Sequence, residues 1–201
     1  MSDQEMLTSI DGTMLAEAFS LEYRSEAMSA GNATARLLAP RQWTERFPVQ
    51  VEAQHILIPA RLHFMSGRLP LTESDEAWLF ARALQTRSND GFERQRAARD
   101  LLADLQPWGA PFVVALIGEY VVDILDDIAA ALTPELARTL GAFIVCNEAY
   151  WATTKRRVTS YWSVYYRARW LDDYGRVERR DEFVGFRLIQ QLEAAGQIAE
   201  E

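Results

Sequence analysis

Cysteine is almost absent from this chain. The one present, Cys146, excludes an intrachain disulfide and fits a reducing compartment. It sits in an apolar helical stretch and reads as a buried small hydrophobe. Histidine is nearly as scarce. His55 and His63 flank Pro59, and no further His or Cys completes a zinc ligand set around them. The chain has no Gly-x-Gly-x-x-Gly, Walker A, Gly-x-Ser-x-Gly or His-Glu-x-x-His sequence. The commonest dinucleotide, nucleotide, hydrolase and zinc-protease signatures are therefore missing, and no cofactor is expected. Long apolar runs are missing too. The most apolar stretch, Pro111 to Gly118, is broken by Glu119 and then Asp123, far short of the ~20 residues of a membrane span. The start, Met1 to Met6, has neither the basic residues nor the apolar run of a secretion signal. These absences predict a cytoplasmic protein that does not enter membranes.

What is present is an acidic chain of 201 residues, 49% hydrophobic and 25% charged, with a formal charge of −8. Length and composition predict one globular domain spanning residues 1–201. The net negative charge argues against general attraction to nucleic acid or to anionic membranes.

Residues 1–70 read as irregular. A helix is expected over Thr13–Met28, stopping near Ala30-Gly31-Asn32, then a short piece from Thr34 to Leu38. The segment from Val49 to Ile58 alternates and ends in β-branched residues, as a strand does, with Pro59 at its end. Arg61 to Met65 reads as a second short strand, with an extended loop as the alternative to both.

Residues 72–195 read as a helical core. Thr72-Glu73-Ser74-Asp75-Glu76 has the hydroxyl and first-turn acids of a helix start. Ser88-Asn89-Asp90-Gly91 is a turn, followed by a helix from Phe92 to Leu105. Pro107-Trp108-Gly109 breaks it, and a further helix runs from Pro111 to about Leu132. Thr133-Pro134-Glu135 caps the next, whose apolar stripe continues from Leu136 through Phe143, Trp151, Val158 and Trp162 to Tyr165. Unbroken, that helix would reach ~50 Å at ~1.5 Å per residue. A kink or break is therefore expected between Asn147 and Ser160, where Ser, Thr and β-branched residues lower helix propensity. A last helix is expected over Asp181–Ala195. The fold class is mainly α: antiparallel helical hairpins, HEAT-like or an irregular bundle, with one or two short strands at most.

The segment Ser88–Ile117 resembles a HEAT-type helical repeat. The features are Asp90, then Arg94-x-x-Ala97-x-x-x-Leu101, a short proline-containing loop, and a second helix opening at Pro111-Phe112-Val113. No second copy follows at the expected period. The resemblance implies helical hairpins packed closely through small residues, with Asp90 and Arg94 helping to tie neighbouring units together.

Two constellations could carry function. The first is the carboxylate row Glu119, Asp123, Asp126 and Asp127. On one continuous helix these spacings share a face, and Glu119, Asp123 and Asp127 could then hold Mg²⁺ in a metal-dependent hydrolase or lyase. The plainer reading is the solvated side of an amphipathic helix whose other side is Val113, Leu116, Ile117, Tyr120, Ile124 and Ile128. Glu119 follows an apolar run, so burial is expected there, together with an Arg, Lys or hydroxyl partner.

The second is basic and aromatic. Residues 107–148 hold six acids and one arginine, net −5, whereas residues 149–170 hold five bases and no acid, net +5. Lys155, Arg156, Arg157, Trp162, Tyr166 and Arg169 are the candidate partner-binding residues, because Arg and large aromatics dominate interface hot spots. The same composition serves core packing, and also nucleic-acid binding, which the overall charge disfavours. In an antiparallel hairpin turning near Leu132, the acidic and basic patches would lie ~20 Å apart along the axis, each in need of a partner elsewhere. The leading expectation is a non-enzymatic helical interaction or scaffold protein that binds another protein, or itself.

Overall fold

Side-chain caps set the helix starts in this computed structural model, which describes residues 10–65, 67–167 and 180–199. Asp11 accepts from Met14 N–H and opens α1 (Gly12–Ala16). Asp90 accepts from the amides of Phe92 and Glu93 to open α4 (Gly91–Ala103), and Thr133 accepts from Leu136 to open α7 (Pro134–Cys146). Each cap satisfies amides that the first turn would leave unbonded. The other helices are α2 (Arg24–Ala35), α3 (Trp78–Gln85), α5 (Ala110–Ile117), α6 (Val122–Ala131), α8 (Glu148–Tyr161) and α9 (Val184–Ala199). With a single two-stranded sheet among the described residues, the fold is mainly α, as expected.

The single strand expected over Val49–Ile58 is an antiparallel hairpin. Strand β1 (Arg46–Val51) pairs with β2 (Gln54–Pro59), from Arg46 opposite Pro59 to Val51 opposite Gln54. The turning residues, Glu52 and Ala53, adopt φ of 49° and 63°. Hairpin turns of this kind usually advertise themselves with Asn or Gly, and neither is present. Val49, Val51, Ile56 and Ile58 are buried. Arg61–Met65 forms no strand, only isolated bridges from Leu62 to Ser88 and from Phe64 to Leu38.

Other boundaries also differ. The helix expected over Thr13–Met28 is two helices joined through a 3₁₀ turn (Leu21–Tyr23), and the second continues past Gly31 to Ala35. Gly31 is not a stop because α1 crosses it: a Cβ there would lie 2.3 Å from the carbonyl oxygen of Gly12. The helix expected from Thr72 starts at Trp78. Asp75 accepts from the amide and hydroxyl of Thr72 at 2.6 and 2.9 Å, closing a turn in front of the helix. Helix α9 runs on through Gly196, where it meets α7 so closely that a Cβ on Gly141 would lie 2.7 Å from the Gly196 nitrogen.

Three breaks matter for function. The helix expected from Pro111 to Leu132 is interrupted by the corner Gly118–Val121 between α5 and α6. Helices α6 and α7 then turn by 117°, rather than folding back antiparallel. The long helix after Thr133 breaks at Asn147, within the expected window, with φ −133° and ψ 50°. The Asn147 side chain accepts from Gln50 N–H at 2.7 Å and donates to Gln50 O at 2.8 Å. A helix break is thereby bonded to the free edge of β1 as another strand would be. Phe80 and Trp108 stack at 4.1 Å, with Phe19 against both, at the centre of the apolar core. Among the described residues, no single helix is long and apolar enough to cross a membrane.

Candidate functional site

The α5–α6 corner is where charge and aromatic rings converge. Glu119, in the corner, is 4% exposed and faces three arginines. Arg61, just after β2, donates to both carboxylate oxygens at 2.7 and 2.8 Å. Arg87 donates to Oε1 at 3.4 Å, and to the carbonyls of Pro59 and Ala60. Arg94, on α4, lies 3.7 Å from Oε2 and donates to the carbonyls of Ser88 and Asn89. The expectation that Glu119 is buried with an arginine partner is met threefold. Burial pushes its carboxyl up, but the charges of Arg87, Arg61 and Arg94 outweigh this and hold it below its ordinary value. Arg87 is held below its ordinary value by burial, which Glu119 offsets only in part.

The basic segment reaches the same corner. A Cβ on Gly118 would lie 3.4 Å from Cβ and Cδ of Arg157, so the side chain of Arg157 rests against the residue before Glu119. Its guanidinium stacks over Phe47 at 5.3 Å. The axial separation of ~20 Å expected for a simple hairpin therefore does not hold, because α6 and α7 splay and the chain turns again at Asn147.

On the outer side of the corner stands a tyrosine cluster. Helix α8 passes into a π-helical turn (Trp162–Tyr166), in which Arg167 N–H bonds Trp162 O five residues back at 2.8 Å. Such wide turns recur at functional sites. Tyr120, Tyr161 and Tyr165 form a triangle of rings with centroids 5.8, 5.9 and 6.0 Å apart. Tyr120 is 45% exposed, Tyr165 47% and the adjoining Val164 69%. Tyr166 is buried beneath them, its hydroxyl donating to Tyr120 O at 2.5 Å and pinning the corner. Tyr120, Val121, Val122, Asp123, Tyr165 and Tyr166 line an open cleft of ≈ 390 Å³.

The candidate binding residues point to different sides of α8 and its π-helical turn. Arg156 is exposed, and no carboxylate pairs with it among the described residues; its one bond is to Thr153. Arg157 is half-buried. Lys155 is matched by Glu193 of α9 at 2.7 Å, a contact that also holds Trp151 Nε1. Trp162 is half-buried against Phe186, and Tyr166 is buried. Arg169 lies outside the described residues. The charge count of residues 149–170 missed Glu193, 38 positions from Lys155, and gave no weight to Tyr120, which helical periodicity had assigned to the core.

The carboxylate row is not assembled. Glu119 leaves the helix at the corner, Asp123 stands in the first turn of α6, and Asp127 accepts from Arg99 and Gln95, both at 2.8 Å. Among the described residues no group of three His, Cys, Asp or Glu side chains is placed to hold a metal ion. Cys146 is exposed rather than buried, because the break at Asn147 ends α7 just beyond it. It borders a small apolar hollow beside the hairpin turn. A wide open groove of ≈ 1180 Å³ between residues 67–74 and α3–α4 carries charges already paired in part, Arg82 with Asp100 at 2.5 Å.

Comparison of the chain with known protein families, with curated proteins and with solved structures finds no match.

Proposed function

We propose that this chain is a non-enzymatic helical interaction protein of the cytoplasm that binds another protein through the tyrosine face beside the α5–α6 corner. One observation carries the reading: Val164 and Tyr165, on a π-helical turn shortly after Arg156, and Tyr120 in the corner are exposed to solvent, with the half-buried ring of Tyr161 against both tyrosines, and no carboxylate pairs with Arg156 among the described residues. Tyrosine loses little freedom for the area it buries, and arginine offers several donors in a planar fork, so both concentrate binding energy in hot spots. The Glu119–arginine hub and the Tyr166 hydroxyl hold this face rigid from behind, which lowers the ordering cost of association. The likeness of Ser88–Ile117 to a HEAT-type unit agrees with a scaffold role.

Affinity capture with immobilised protein tests this. Wild type retains a specific partner, a Tyr165→Ala, Arg156→Glu variant loses it, and Leu21→Ser, an exposed apolar change elsewhere, keeps it. Circular dichroism confirms that all three are folded. If the tyrosine-face variant retains the same partner as wild type, binding happens elsewhere.

A further inference from the structure

The cleft beside the tyrosine cluster differs in charge from the segment that flanks it. Among the described residues its lining contributes one carboxylate, Asp123, and three tyrosine rings, with no basic side chain. Asp123 is exposed and makes no hydrogen bond or ion pair among the described residues. Arg99 feels its charge, but is itself bonded to Asp127. The rings of Tyr120 and Tyr165 stand 5.9 Å apart and tilted by 38°. That spacing leaves no room between the rings, but a cation in the cleft ~5 Å from their midpoint lies ~5.8 Å from both centroids, within the ~6 Å over which a ring face attracts positive charge. Tyr120 already serves this way on its inner side, where the buried Arg94 lies 5.8 Å from its centroid.

Resting on the interaction reading, we infer that the cleft seats a basic side chain of the protein partner, its charge against the exposed sides of the Tyr120 and Tyr165 rings and the Asp123 carboxylate. The argument is charge complementarity. An aromatic pair with a carboxylate at its rim favours a cation over a neutral group of equal size, and opposes an anion. Val121 and Val122 give the alkyl stem of such a side chain an apolar wall. Tyr161, 5.8 and 6.0 Å from the other two rings, packs against both without lining the cleft.

The test uses the full-length protein, with tetramethylammonium as the cation and tert-butanol as its neutral counterpart. Tyrosine ring resonances are followed by NMR and assigned with single Tyr→Phe variants. The expected result is a saturable shift of the Tyr120 and Tyr165 signals with tetramethylammonium at millimolar concentration, and none with tert-butanol. Asp123→Asn weakens the response about two- to fivefold, in the range of an exposed ion pair, while Asp126→Asn leaves it unchanged. Asp123 also complements the N-terminal dipole of α6, so the readout is the titration and not the melting temperature. Equal responses to the two probes, no saturable response, or equal effects of the two Asn variants would each overturn the inference. Competition separates it from the broader reading. If tetramethylammonium fails to displace a captured partner that Tyr165→Ala still abolishes, the interaction face stands and the cation site falls.

Discussion

Replacing Glu119 by glutamine removes one charge from a site where three guanidinium groups converge on it. Arg61, with 31% of its side chain exposed, can turn toward water and recover much of its hydration. Arg87 and Arg94, at 2% and 1%, cannot. They would stay charged, buried and without a counter-ion, a situation that typically costs about 3–5 kcal/mol. Glutamine keeps the shape and one carbonyl acceptor for Arg61, so about 3 kcal/mol is expected for Glu119→Gln and more for Glu119→Ala. For a chain of this length each kcal/mol lowers Tm by about 2–4 °C, so the glutamine variant should melt about 6–12 °C early. Urea unfolding followed by circular dichroism measures the loss at neutral pH. The same experiment in acid tests the cause. The folded-state pKa of Glu119 lies below its ordinary value of 4.5. Its contribution is therefore fully present above the unfolded pKa and disappears as pH falls through the folded one. The gap between wild type and Glu119→Gln should thus narrow below about pH 4.5. Asp127→Asn is the control, since its partner Arg99 is largely exposed and the pair is worth under about 1 kcal/mol. A glutamine variant within about 1 kcal/mol of wild type, or a gap independent of pH, would refute the hub as an electrostatic device.

Three further outcomes follow from the packing. Asn147→Leu removes both bonds to the Gln50 backbone and should cost about 1–3 kcal/mol, with faster hydrogen exchange at the Gln50 amide as its local signature. Changing the hairpin turn Glu52-Ala53 to Asn-Gly relieves two residues held at positive φ and should stabilise by about 1–2 kcal/mol, measured by thermal melting; no gain would show the turn unstrained. Gly141→Ala, a change that raises helix propensity at an open site, should here destabilise by about 1–3 kcal/mol, because its new methyl meets the α9 backbone.

Much of the helical order was legible because it rests on local chemistry. Thr133 opens the helix it was read to open, a helix follows the turn at Ser88–Gly91 as expected, and the long stripe after Thr133 breaks at Asn147, at the start of the expected window. What escaped was decided by partners distant in sequence. Arg61, Arg87 and Arg94 precede Glu119 by 58, 32 and 25 positions, so burial of that carboxylate could be inferred but its partners could not be named. Splitting the helix at Gly118–Val121 turned Tyr120 out of an apolar face to which periodicity assigned it. The hairpin was missed because Glu-Ala carries none of the usual turn chemistry. Segment charge counting failed at Lys155, whose neutralising acid arrives on the last helix.

The Glu119 hub also bears on how the chain acquires its structure. As the polypeptide lengthens, Arg61, Arg87 and Arg94 are all made before the one carboxylate that balances them. Until the α5–α6 corner exists, burying these arginines is unfavourable, so the β-hairpin and α3–α4 have an electrostatic reason to remain open. Closing the hub joins a hairpin near the start of the chain to a corner well past its middle in a single step. A cut near residue 70, where the sequence changes from irregular to helical, would leave Arg61 on one fragment and Glu119 on the other. Neither piece would then carry both halves of the charge pair that joins them.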